Sequence, residues 1–163
     1  MSQQTTWRPV AAIRAVAIGL ARRDRQLLVV EVLDEQGRRK GWRPPGGGMH
    51  FMETSAAALK REILEELGCG IEIAGDPAVC ENLYQHAGAP GHEIVFVYAM
   101  SLLDASIYAQ DRLHLREDDG TVHRLEWIEI ERFRSGRETL FPDGLVARLS
   151  GDTLTSPDHQ QRR

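Results

Sequence analysis

Glu62, Glu65 and Glu66 stand three and four residues apart, shortly after the run Gly46-Gly47-Gly48. On a helix this spacing places all three carboxylates on one face, as near neighbours. Like charges so arranged repel by a few tenths of a kcal/mol per pair, and they lie toward the helix C-terminus, where the dipole disfavours negative charge. A sequence chosen for stability alone has no reason to place them there. Hard divalent cations such as Mg²⁺ relieve the repulsion, because they prefer carboxylate oxygens and keep open positions for phosphate and water. The competing explanation is a solvated acidic face. Two features count against it. Ser55 and Ala58, earlier on the same face, are small enough to leave room for a ligand above the carboxylates. The glycine run would let backbone approach a phosphate or a metal closely.

Such a cluster works only if its helix is firmly placed. The spacing predicts a helix over Thr54–Leu67, with Thr54 as N-cap and Gly68 as C-cap. Ala56, Leu59, Ile63 and Leu67 form the stripe that buries against a sheet. Before the helix, Trp42-Arg43-Pro44-Pro45-Gly46-Gly47-Gly48 holds two prolines and three glycines, which predicts a shaped loop without regular structure. Upstream, Ala11–Leu20 and Gln26–Leu33 are expected as strands of a hairpin turning at Arg22–Arg25, followed by a charged connection from Asp34 to Gly41. Downstream, Ile71–Ile73, Val79–Tyr84, Glu93–Leu102 and Val122–Ile130 have strand character, Leu103–Asp119 is mixed, and Leu145–Leu149 suggests a short helix. No internal repeat is visible. One domain over residues 7–150 is expected, with residues 1–6 and 151–163 as flexible termini, and the element pattern indicates an α/β or α+β sandwich.

Composition sets outer bounds. At 163 residues the chain suits one domain with one core, and its net charge of −4 offers no broad attraction for a nucleic-acid polymer or an anionic membrane. A small anionic substrate would need locally placed cations or metal ions. Residues 1–9 are polar and the apolar run Val16–Leu20 is too short for a signal or a span, so a cytoplasmic setting is expected. Cys69 and Cys80 fit that setting as small apolar residues.

Gly47, five residues, Glu53, seven residues, then Arg61-Glu62-Ile63-Leu64-Glu65-Glu66-Leu67-Gly68-Cys69 resembles the complete Nudix box. Cys69 is the one mild departure, standing where the family usually has an aliphatic residue. The resemblance implies an α/β/α sandwich with a mixed sheet and the box as loop–helix–loop. It implies that Glu62, Glu65 and Glu66 hold metal, helped by the Gly47 carbonyl, with Mg²⁺ the expected ion and Mn²⁺ an alternative. Arg61 would orient or neutralise a glutamate, and Glu65 lies one turn from it. Glu53 would support the site or reach metal through water. The family reaction is attack of water on a phosphorus of a nucleoside diphosphate linked to another group. Arg61, Glu62, Glu65 and Glu66 form the expected catalytic set. The general base is left between Glu62 and an acidic residue of a later loop, Glu117, Asp118 or Asp119, which otherwise make an ordinary acidic turn ending at Gly120.

Outside the box, Arg43 would suit a substrate phosphate, while Trp42 suits either a base or, with more weight, the core. Tyr84 lies near where some members that cleave dinucleoside polyphosphates carry a tyrosine, and a core role is the commoner explanation. Pro77 comes too early and Pro90 rather late for the proline of ADP-ribose-cleaving members. Glu93 opens a strand and would point toward the site; Trp127, Phe133 and Phe141 are expected in the core. The leading expectation is therefore a metal-dependent diphosphohydrolase of a nucleoside triphosphate or nucleotide sugar. Its alternative is a non-catalytic nucleotide-binding or regulatory module, which the intact glutamates disfavour. An isoprenoid diphosphate isomerase would want a cysteine and glutamate pair outside the box that is not identifiable here. A homodimer, common among relatives, is compatible with the chain.

Overall fold

The computed structural model describes residues 7–116 and 120–149. The expected flexible termini, and Glu117, Asp118 and Asp119, lie outside the described residues. β1 (Ile13–Arg23) and β2 (Gln26–Leu33) form a hairpin whose ladder begins at Arg23↔Gln26, across the turn at Asp24 and Arg25. Strand β3 (Arg39–Arg43), strand β4 (Gly46–Gly48) and helix α1 (Ser55–Leu67) follow. A long hairpin, β5 (Ile71–His86) and β6 (Ala89–Leu102), comes next, then α2 (Ala105–Tyr108), β7 (Arg112–Arg116), β8 (Val122–Glu129), α3 (Ile130–Arg134) and α4 (Leu145–Arg148).

The strands make one mixed sheet in the order β5-β6-β1-β2-β8-β7, with β3 added on β2 and β4 on β1. β1 and β6 run parallel from Ile13↔His92 to Ala21↔Met100, and the other ladders are antiparallel. The central strands are apolar at successive positions because both faces are covered. Alternate residues serve opposite layers. Ala17, Ala21, Leu28 and Val30 join Ala58, Leu59 and Ile63 of α1 in one cluster. Val16, Ile18, Leu20, Leu27 and Val29 join Phe133 of α3 and Leu145 of α4 in the other. The result is the expected layered α/β arrangement, with helices on both faces of a large mixed sheet.

Three expectations change. Residues 42–48 are not an irregular loop: Trp42 and Arg43 end a strand on β2, and Gly46–Gly48 pairs with Val16–Ile18. Only Pro44 and Pro45 lie outside a strand, since proline cannot donate to a ladder, whereas the glycines pair edge to edge through their backbones. Second, the predicted short strands at 71–73 and 79–84 are one strand, continuous through an irregularity between Ala74 and Ala78. Ala74 and Ala78 pair with Ala99 and Val97 on either side of the irregularity, so the β6 partner carries the strand across a segment of low strand propensity. Third, the mixed segment after Leu103 contains both α2 and β7. Trp42 is a core residue at 1% exposure, and Trp127 and Phe133 are buried. Phe141 is half-buried, with Lys40 over its ring, so it closes the core edge rather than filling the centre.

Candidate functional site

α1 is capped at both ends as its sequence requires. The Thr54 hydroxyl accepts from the Ala57 amide, and Gly68, in the left-handed region, donates its N–H to Leu64. Leu59 and Ile63 are fully buried, each contributing about 1.5–3 kcal/mol by leaving water. With that side fixed to the sheet, Arg61, Glu62 and Glu65 turn toward the β4 edge.

β4 holds the backbone close to the helix. Gly46 has φ of 129°, and a Cβ there would lie 2.2 Å from the Ala17 carbonyl oxygen, so only glycine fits. At Gly47 a Cβ would fall 2.5–2.7 Å from the carboxyl atoms of Glu62. The missing side chain of Gly47 is therefore the space that the Glu62 carboxylate occupies.

Between β4 and α1 the chain makes a tight turn, His50 to Glu53, closed by the Glu53 amide donating to the His50 carbonyl at 3.1 Å. Met52, third in the turn, has φ of 67° although it is not glycine. Phe51 and Met52 are 96% and 88% exposed, so neither is anchored by burial. The Glu53 carboxylate returns to accept the His50 amide at 2.9 Å.

Arg61 organises the carboxylates. Its Nε and Nη2 donate to the two oxygens of Glu53 at 2.8 and 3.0 Å, a bidentate fork. Nη1 donates to Glu62 at 2.9 Å and to Glu65 at 3.1 Å, and Nη2 also donates to the Gly48 carbonyl at 2.9 Å. One guanidinium thus links the loop, the turn and the helix. Hydrogen bonds from Arg61, then the His50 amide, hold the Glu53 carboxyl down at about 2, and hydrogen bonds to Glu53, then Glu62, push Arg61 well above its ordinary value. The expected pairing of Arg61 with Glu65 is present, and the contacts to Glu53 and Glu62 extend it. Glu66 is half-buried on the same helix.

The cluster was expected to converge on metal. Among the described residues no three His, Cys, Asp or Glu side chains stand so as to hold an ion together, and Arg61 lies among Glu53, Glu62 and Glu65 instead. The donor set nevertheless suits a hard divalent cation, because it consists of carboxylate and carbonyl oxygens. The open face of Gly47, which a Cβ would fill, keeps the Glu62 carboxylate against backbone.

Ser55 and Ala58 do not leave room for a ligand. Ala58 is fully buried, and the Ser55 hydroxyl bonds that of Tyr98 at 2.7 Å. Both lie on the sheet side of the helix, because the expected stripe of Ala56, Leu59, Ile63 and Leu67 packs on the core as read but is wider, taking in Ala58 as well. Arg43 folds back to donate to the Gly46 carbonyl at 2.9 Å, bracing the loop. Tyr84 and Glu93 come together across the β5–β6 ladder: the Tyr84 hydroxyl donates to Glu93 at 3.0 Å, and the Asn82 amide donates to its other oxygen at 3.2 Å. Burial, then the Glu93 charge, pushes the Tyr84 hydroxyl up to about 12.

Beside Glu62 opens a cavity of about 400 Å³, lined also by Ile13, Arg14, Ala15, Gly48, Met49 and His50. Arg14 was not foreseen as a site residue. Its only signal in the sequence is a lone charge at the head of an apolar strand.

The NUDIX domain model matches residues 11–149, and the chain belongs to the NUDIX family. A Mycobacterium tuberculosis protein provisionally named 8-oxo-dGTP diphosphatase 2 is 33% identical over 92 residues, covering 56% of this chain and 63% of that protein. The chain therefore spans somewhat under two thirds of that relative's length. Among solved structures, a NUDIX hydrolase from Nitrosomonas europaea superposes with a TM-score of 0.56 at 16% identity, covering 84% of this chain and 85% of the other. A MutT protein from Methanosarcina mazei Go1 gives 0.54 at 19% identity, covering 82% and 86%. At these identities the likeness is one of fold. No helix among the described residues is long and apolar enough to cross a membrane.

Proposed function

We propose that this protein is a metal-dependent diphosphohydrolase that cleaves a diphosphate linkage in a nucleoside diphosphate derivative, with nucleoside triphosphates, oxidised ones included, as the first candidates and nucleotide sugars next. One observation carries the reading: Arg61 gathers Glu53, Glu62 and Glu65 against the glycine strand, beside an open cavity. Family membership and the name of the mycobacterial relative support it.

Glu62, Glu65, Glu66 and the Gly47 carbonyl would hold Mg²⁺, or Mn²⁺ in its place. Bound there, the ion supplies charge neutralisation at the diphosphate and makes water a better nucleophile. The chain's own residues set the geometry. Gly47 keeps the Glu62 carboxylate against the loop, and Arg61 holds the carboxylates in register and limits their mutual repulsion. Glu53 fixes the turn through its bonds to Arg61 and His50. Glu62 is the candidate general base whose position is described, and Glu117, Asp118 and Asp119 are its rivals. The net charge of −4 favours a small nucleotide over a nucleic-acid polymer as substrate.

The test is incubation of pure protein with Mg²⁺ and a panel of nucleoside triphosphates, 8-oxo-dGTP, nucleotide sugars and dinucleoside polyphosphates, with products resolved by chromatography. Wild type, Glu62→Gln and Glu65→Gln run side by side. We expect wild type to cleave at least one class and each variant to lose about 100-fold or more in kcat/KM. Full activity in both variants would overturn the assignment of the site. Tight nucleotide binding by wild type without any turnover would favour the non-catalytic module.

A further inference from the structure

Three arginines approach the glycine strand, and they are engaged differently. Arg61 is committed to three carboxylates and the Gly48 carbonyl. Arg43 is folded onto the Gly46 carbonyl. Arg14, the third, projects from β1 along the cavity wall. Its Nη2 lies 3.3 Å from where a Cβ of Gly48 would stand, so its guanidinium lies directly against the strand. Among the described residues lining the cavity, Arg14 is the one Lys or Arg, and it shares that lining with Glu62.

The cavity therefore carries an acidic and a basic side chain, Glu62 and Arg14. A diphosphate brings several negative charges, and Glu62 repels any phosphate not neutralised there. A guanidinium in the same cavity suits such a phosphate, since its planar fork matches phosphate oxygens bidentately.

Arg14 is also held ready. Glu93 lies 3.6 Å from its Nη1, beyond ordinary hydrogen-bond length, and its carboxylate is at the same time engaged by Tyr84 and Asn82. On the other side the guanidinium lies over the Trp7 ring, 5.2 Å from its centroid. Trp7 in turn meets the ring of His86 at 5.8 Å, near the tip of the β5–β6 hairpin. Five N–H donors exceed what Glu93, the Tyr84 hydroxyl and a ring face can use. The side chain is oriented by neighbours that leave donors for a ligand.

We propose that Arg14 binds a substrate phosphate that the box glutamates do not hold, with Glu93 and Trp7 as its positioning residues. This deepens the diphosphohydrolase reading and rests on it for the substrate class.

The test measures binding and turnover separately. Isothermal titration calorimetry with Mg²⁺ and an α,β-methylene nucleoside triphosphate, which resists cleavage at that bond, gives Kd for wild type, Arg14→Gln, Arg14→Lys and Arg112→Gln. Arg112 lies on β7 outside this cavity and controls for loss of one positive charge. Arg14→Gln should weaken binding roughly ten-fold or more, Arg14→Lys less, and Arg112→Gln by under about two-fold. On whichever compound is cleaved, Arg14→Gln should raise KM about as much while kcat changes by under about three-fold. Trp7 emission should change on titration, and Trp7→Phe should remove that change.

Equal Kd and KM for Arg14→Gln and Arg112→Gln would overturn the inference. If Arg14→Gln fails to fold, Arg14→Met replaces it in both measurements, and a Kd and KM equal to those of Arg112→Gln would equally overturn the inference. Loss of binding in Arg14→Gln without turnover of any compound by wild type would sustain the phosphate site and remove the hydrolase reading alone.

Discussion

Gly47→Ala separates the fold from the site. Its φ lies outside the left-handed region, so alanine suits the backbone. The new Cβ would stand 2.5–2.7 Å from the carboxyl atoms of Glu62. Ordinary contact needs about 3.5 Å, so the carboxylate must retreat by about 1 Å. It sits at the end of a flexible side chain and can move, but Arg61 holds it at 2.9 Å. The displaced rotamer costs about 0.5–1.5 kcal/mol, and the stiffer unfolded chain returns about 0.4–1 kcal/mol. Net stability should therefore change by under about 1 kcal/mol. A misplacement of about 1 Å in a reacting group costs on the order of 100-fold in rate, or about 2.7 kcal/mol. The assay pairs thermal unfolding with kcat/KM on the best substrate and with Mg²⁺ affinity by calorimetry. An unchanged melting temperature with a drop of about 100-fold is the expected result. Wild-type kcat/KM in Gly47→Ala would refute the claim that the Glu62 carboxylate, in its place against Gly47, belongs to the reacting site.

Three further outcomes are expected. Met52→Gly should stabilise the protein by roughly 0.5–1 kcal/mol, since the left-handed backbone costs a non-glycine residue more than the added chain entropy; a melting temperature at or below wild type would contradict it. Glu53 is depressed in the folded state to about 2 from an ordinary 4.5, so its stabilisation is present above about pH 4.5 and is lost as pH falls toward 2. The gap in melting temperature between wild type and Glu53→Gln should accordingly be widest above pH 4.5 and narrow on acidification; a gap independent of pH would show that Arg61 does not act on Glu53 as a charge. Leu59→Ala, at a fully buried position under α1, should cost about 2–5 kcal/mol in denaturant unfolding, and a loss under 1 kcal/mol would mean that the helix is not anchored through that residue.

Much of α1 was legible beforehand. Thr54, Gly68 and the Leu59–Ile63 stripe act locally, through caps and a 3.6-residue period, and these depend on little beyond the segment itself. The strands around it were legible in kind but not in extent. β5 resumes beyond its irregularity at Ala74–Ala78 because β6 supplies partners on both sides of it, which no local propensity records. Residues 42–48 misled for a related reason: glycine and proline predict irregular backbone, yet β1 and β2 offered two separate ladders to the residues on either side of the prolines. Ser55 and Ala58 misled because the buried face of α1 is wider than its apolar stripe, so small residues presumed to leave ligand space face the sheet instead.

By itself the sequence determined the family, the box helix and the identity of the clustered carboxylates, because fixed spacing along one helix converts directly into shared position on one face. Only the tertiary structure decided which groups meet across elements. It set Glu62 in the space that Gly47 leaves open, gave Arg61 acceptors on four residues of strand, turn and helix, and brought Arg14 of β1 into the cavity that Glu62 lines. Those contacts depend on the register of β1 with β4 and β6, and register is a property of strands pairing at long range, which single residues read in order do not carry.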